Sequence, residues 1–148
     1  MRPIGLLLLS SALLLPPCFA SSVDSKPIDP LAISALAAKA NLASPKEQCF
    51  LYAELVHQMT ELAGRQIKDG EDASATLRSI RDYTQKIHLG VANDTKRLKN
   101  AQILMEHTAF RLNEYLHSAA IDDRPVLEST LKNLNQVQNE LMMQVFRR

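Results

Sequence analysis

The sequence predicts an all-α fold, an antiparallel helical bundle of coiled-coil character with a long central helix flanked by two helices of about 25 residues. Three observations carry this. First, Leu77, Ile80, Thr84, Ile87, Val91, Asp94, Leu98, Ala101, Met105, Thr108, Leu112, Tyr115 and Ala119 keep one heptad register without a slip. Spacings that alternate between three and four place these side chains on a single stripe of a helix, which must be buried against other helices. Second, proline and glycine punctuate the chain where helices should begin and end. Third, neither strand alternation nor hairpin turn signals occur, and with 5% aromatic residues and no Trp the packing must rely on Leu, Ile, Met and Ala.

In chain order, residues 1–20 read as a cleavable export signal. Arg2 supplies the positive start, Ile4 to Leu15 form the apolar run, and Cys18-Phe19-Ala20 ends in a small-x-small pattern. The run is shorter than the roughly 20 residues a membrane span needs, so no span is expected after cleavage, and the localisation expected is periplasmic or secreted. Residues 21–44, with Pro27, Pro30 and the alanine-rich stretch Leu31 to Ala40, read as a flexible leader, a tether or a short, loosely docked helix with few large side chains.

The bundle domain is expected over 45–148. Its first helix opens at Ser44-Pro45-Lys46-Glu47, a capping box with proline at the first helical position. Leu51, Tyr52, Leu55, Val56, Met59, Leu62, Ala63 and Ile67 form the buried stripe, and Asp69-Gly70 the stop. The heptad ladder follows from about residue 72. Its one weak region is Gly90 to Asp94, where Gly90, Asn93 and Asp94 are poor helix formers and Asp94 occupies a seam position. A break at 90–94 gives two helices, 72–92 and 94–120, and a four-helix monomer. Without a break, one helix of about 49 residues runs roughly 70 Å. Two chains would then pair their arms into a homodimer. The uninterrupted phase favours the single helix, because a loop is free to shift the phase. The last helix starts at Asp122-Asp123-Arg124-Pro125, and Leu127, Leu131, Leu134, Val137, Leu141 and Val145 make its stripe.

Charge narrows the partners. The chain has 17 basic and 16 acidic residues, and loss of Arg2 with the signal makes the two equal. Nucleic-acid binding needs a concentrated positive face, and the densest basic cluster, Lys96, Arg97 and Lys99, is flanked by Asp94 and Glu106. No nucleic-acid partner is expected. Cys49 is the one cysteine left after cleavage. It reads as a small buried hydrophobe, an intermolecular disulfide or a thiol activated near the helix start.

Two Glu-x-x-His patterns, Glu54 with His57 and Glu114 with His117, match the spacing of di-metal carboxylate bundles. At 100° per residue, however, all four point away from the apolar stripes, and inward-facing carboxylates on the other helices are lacking. His57, His88, His107 and His117 read as solvent-facing, and none stands beside a nucleophile with a third orienting group. Arg65, Arg78, Arg81 and Arg111 lie off the apolar stripes, whereas an all-helical chorismate mutase needs several basic side chains converging inside its bundle. Neither a catalytic residue, a metal site nor a cofactor site is expected. More informative are Ile103 and Phe110, seven apart on the face opposite the seam, with His107, Glu114 and His117 around them. They mark either a partner surface or a face covered by another helix. Met143 and Phe146 extend either arrangement.

Thr95-Lys96-Arg97-Leu98-Lys99-Asn100-Ala101, continuing through His107-Thr108 to Arg111-Leu112-Asn113-Glu114-Tyr115-Leu116-His117, resembles a segment of small exported bacterial helical proteins of uncharacterised function. The architecture is also similar to periplasmic helical chaperones and stress sensors, without their repeated Leu-Thr-x-x-Gln signature. The functional expectation is an exported, non-enzymatic helical scaffold, adaptor or envelope-stress binding protein that acts through a surface or a dimer interface. Its alternative is a metal-binding four-helix bundle or a small exported helical enzyme.

Overall fold

The computed structural model describes residues 29–89 and 95–146. The export signal, the first part of the leader and Gly90 to Asp94 lie outside the described residues. The described chain forms five helices: α1 Pro30–Leu42, α2 Pro45–Asp69, α3 Ser74–Leu89, α4 Thr95–Ser118 and α5 Arg124–Phe146. No strand occurs among the described residues.

Helix ends follow from local chemistry. Asp29 caps α1 by accepting a 2.9 Å hydrogen bond from the Leu31 amide. α2 ends in a Schellman motif. Gly70 takes φ 74°, its N–H donates to the Ile67 carbonyl, and the Glu71 N–H donates to that of Gln66. The capping box at Ser44 does not close, because the Ser44 hydroxyl makes no cap bond to the backbone and lies 3.5 Å from the Glu47 carboxylate. That carboxylate faces Arg97 of α4 at 3.2 Å, which draws it away from the α2 terminus.

The stripes read from the sequence are the core. Leu77, Ile80, Thr84, Ile87, Leu98, Ala101, Met105, Thr108, Leu112 and Ala119 are all buried, as are Leu55 and Val56 of α2 and Leu127, Leu134 and Leu141 of α5. Of the five threonines buried among the described residues, three are paired within their own helix. Thr84, Thr108 and Thr130 each donate to the carbonyl four residues back, at 2.7, 2.7 and 2.8 Å, so their hydroxyls are not left unpaired.

The middle of the chain is two antiparallel helices rather than one straight helix. Along α2, His57 meets Thr108, Glu61 meets Arg111 and Gly64 meets Tyr115, so α4 runs parallel to α2. In contrast, Tyr52 stacks on Tyr83 and Thr76 donates to Gln66, so α3 runs antiparallel to α2. The chain therefore reverses between Leu89 and Thr95, and the single 70 Å helix, on which the expected arm-sharing homodimer depended, is not formed. An intact phase does not require a single helix, because two separate helices that each bury one stripe can share it.

Two hairpins, α2/α3 and α4/α5, pack side by side. α2 touches α3 and α4, and α5 touches the same two helices, while the diagonal pairs α2/α5 and α3/α4 make no contact. Sequential helices α3 and α4 thus stand across a diagonal of the four-helix bundle. Of the two readings of the leader, the structure shows the docked helix: α1 packs on α2, with Ile33 and Ala40 buried. Small side chains let the two backbones approach. No described helix is long and apolar enough to cross a membrane.

Candidate functional site

The contact between α2 and α4 carries a polar seam in which Thr108 and Tyr115 belong to the heptad ladder, while His57, Glu61 and Arg111 lie off the stripes. His57, Glu61 and Gly64 climb α2 in steps of four and three, and Thr108, Arg111 and Tyr115 climb α4 in steps of three and four. Parallel helices bring these ladders together rung by rung. Arg111 donates from Nε to Glu61 Oε1 at 2.8 Å and from Nη2 to Oε2 at 3.0 Å. This bidentate geometry matches guanidinium to carboxylate. Tyr115 donates its hydroxyl to Glu61 Oε2 at 2.6 Å, and Arg111 also reaches Glu114 and the Tyr115 hydroxyl.

The charge states are locked by this arrangement. Burial pushes the Glu61 carboxyl up, but the hydrogen bonds from Arg111 and Tyr115 outweigh it and hold the group below the ordinary carboxylate range. Burial, together with the hydrogen bond to Glu61, raises the Tyr115 phenol, and Glu61 raises Arg111 further. At neutral pH the Glu61–Arg111 pair is a charged bridge. Arg111, expected off the stripes, is only half-exposed here.

His57 is likewise corrected from solvent-facing to half-buried. Its Nδ1 lies 3.0 Å from Thr108 Oγ1, whose hydroxyl proton already goes to the Leu104 carbonyl. Nδ1 must then be the donor, which leaves Nε2 unprotonated in the neutral ring. Burial lowers the His57 pKa, with Glu61 opposing and the neighbouring His107 and Arg111 assisting. The His57 and His107 ring centroids are 5.3 Å apart.

Gly64 is explained by Tyr115. A Cβ at position 64 would overlap Cζ, Cε1 and Cε2 of that ring, so only glycine lets the phenol lie across α2 and reach Glu61. A second polar group ties α1 to the bundle. Tyr52 donates to Asn41 Oδ1 at 3.0 Å, and Lys86 Nζ lies 5.5 and 5.0 Å from the Tyr52 and Tyr83 ring centroids.

Beside the polar seam lies the apolar line. Ile103 and Phe110 are 61% and 60% exposed, and no other helix covers them among the described residues. His107, Glu114 and His117 are exposed around them. Phe50 of α2 joins Asn100, Ile103, Leu104 and His107 in an open, mainly apolar groove. Met143 and Phe146 are also exposed, at the end of α5.

The remaining candidates fall apart in space. Glu54 lines a groove with Lys39 and Arg97, His57 faces Thr108, Glu114 pairs with Arg111, and His117 lies 3.5 Å from Asn113. Among the described residues no three of His, Cys, Asp and Glu are grouped to hold a metal ion. Cys49 is 1% exposed, and burial pushes its thiol up to about 11, which suits a small buried hydrophobe and not an activated thiol. No protein-family model, curated protein or solved structure matches the chain.

The polar seam left traces in the sequence. A glycine inside an apolar stripe, with a glutamate three residues before it and a histidine seven before it, marks a close approach. Its partner positions on α4 cannot be read without the parallel α2/α4 pairing.

Proposed function

We propose that the protein is an exported, non-enzymatic helical scaffold or adaptor, of the kind that binds partners in the cell envelope, and that it works through the outward face of α4. One observation carries this reading: Ile103 and Phe110 stand exposed in line on a helix whose opposite face is fully committed to the core. Isolated exposed apolar residues are ordinary, but a line at heptad spacing flanked by an apolar groove is the usual mark of an interaction surface. The signal-like N-terminus and the resemblance of 95–117 to exported bacterial helical proteins support the compartment.

The test is the double variant Ile103→Asp with Phe110→Asp. It should keep its helical circular dichroism and thermal transition while losing association, measured by light scattering of the purified protein and by capture of partners from its own cell envelope. Loss of the helical signal, or association at the wild-type level, overturns the reading.

A further inference from the structure

We infer that the outward face of α4 is a homodimer interface in which two copies of this helix pack antiparallel about a two-fold axis near Glu106 and His107. This rests on the reading of α4 as a working surface and names its partner as a second copy of the chain.

At 100° per residue, Lys96, Lys99, Ile103, His107, Phe110, Glu114 and His117 fall within a strip about 80° wide. All seven are exposed. Their order along the helix is basic, apolar, acidic: Lys96 and Lys99 at the N-terminal end, Ile103 and Phe110 in the middle, Glu114 towards the C-terminal end, with Glu106 on the strip's margin. Such an order is self-complementary only when one copy is reversed. Placing Ile103 opposite Phe110 of the partner subunit also brings Lys99 level with the partner's Glu114. Two-fold symmetry makes each contact twice, as an isologous interface requires. A parallel arrangement would instead set Lys99 against itself and Glu114 against itself, a like-charge juxtaposition that specific interfaces avoid. Reversal also opposes the two helix dipoles.

A partner of another kind would have no reason to match an order that complements its own reverse. Phe50 and Leu104 widen the apolar centre on the α2 side, and both are half-buried already, so contact there adds burial without exposing anything. Glu114 keeps Arg111 as an internal partner and still has its side chain 45% exposed to a second cation.

Sedimentation equilibrium of the protein and its charge variants tests this. Wild type should show a reversible monomer–dimer equilibrium, and Lys99→Glu should weaken it by at least about tenfold. The double variant Lys99→Glu with Glu114→Lys should restore it. Cysteine cross-linking reads the register separately. His107→Cys should form a disulfide between copies under mild oxidation. His117→Cys should not, because antiparallel pairing holds its copies about 30 Å apart.

A strictly monomeric protein up to about 1 mM, a dimer that survives Ile103→Asp with Phe110→Asp, or cross-linking at 117 in preference to 107 would overturn the proposal. A strict monomer whose envelope partner is lost in Ile103→Asp with Phe110→Asp leaves the working surface standing and removes only the dimer. A strict monomer whose partner capture is unchanged in that variant removes both.

Discussion

Gly64→Ala pits helix propensity against close packing, and the two predict opposite signs. Alanine in a helix interior is favoured over glycine by about 0.5–1 kcal/mol. Against this, the new methyl would overlap three ring carbons of Tyr115. The ring must swing out, and its 2.6 Å hydrogen bond to Glu61 breaks. A hydrogen bond to a charged group contributes about 1.5–3 kcal/mol, and accommodating an overpacked methylene costs about 1–3 kcal/mol. Either route outweighs the propensity gain, and the net expectation is destabilisation by about 1–2 kcal/mol. For a domain of this size that is a fall in Tm of about 4–8 °C, read by far-ultraviolet circular dichroism. In a Tyr115→Ala background the obstacle is gone, and Gly64→Ala should then raise Tm. A higher Tm for Gly64→Ala alone, or an equal fall in both backgrounds, refutes the assigned contact.

Two further expectations concern titratable groups. The His57 pKa is lowered from 6.5 in the folded protein, so the unfolded chain binds more protons and stability falls as pH drops below 6.5 towards the folded pKa. Melting temperatures recorded from pH 7.5 downward should therefore decline in wild type and flatten in His57→Asn, above the range in which Glu61, lowered from 4.5, begins to matter. Equal slopes in the two proteins would remove His57 from the account. The Cys49 thiol, 1% exposed, should resist iodoacetamide in the folded protein at neutral pH and react once denaturant is added, with modification located by peptide mass. Rapid labelling under native conditions would show that the start of α2 opens.

Heptad spacing marked the buried side of each helix because burial is periodic and local, and the described ladder residues from Leu77 to Ala119 are all buried except Tyr115, which is half-buried. The same spacing misled about continuity. Phase is a property of each helix separately, and residues 90–94 span the number of positions that keeps two helices in step. The exposed line of Ile103 and Phe110 was legible for the same reason as the core, being its complement. The polar seam was not, since Glu61 and Arg111 are 50 residues apart in sequence and face each other only because α2 and α4 run parallel. The alanine-rich stretch of α1 left tether and docked helix open because small residues look weakly apolar, whereas on α2 both Ile33 and Ala40 are buried.

The polar seam also bears on why the apolar line faces outward at all. Rolling α4 by about 100°, so that Phe110 replaced its neighbour Arg111 against α2, would carry the buried Leu98, Met105 and Leu112 out of the core. That roll would leave Glu61, with its side chain 25% exposed, without its guanidinium, and would withdraw Tyr115 from the space that Gly64 leaves for it. Removing one partner of a partly buried charge pair costs more than the pair itself contributes, and the roll would also break the Thr108 contact with His57. The apolar stripe and the group of Glu61, Arg111, Tyr115 and Gly64 therefore hold α4 in the same rotation. Ile103 and Phe110 are exposed because stripe and bridge both hold that rotation, and the bridge adds to the core's hold on the surface that α4 presents.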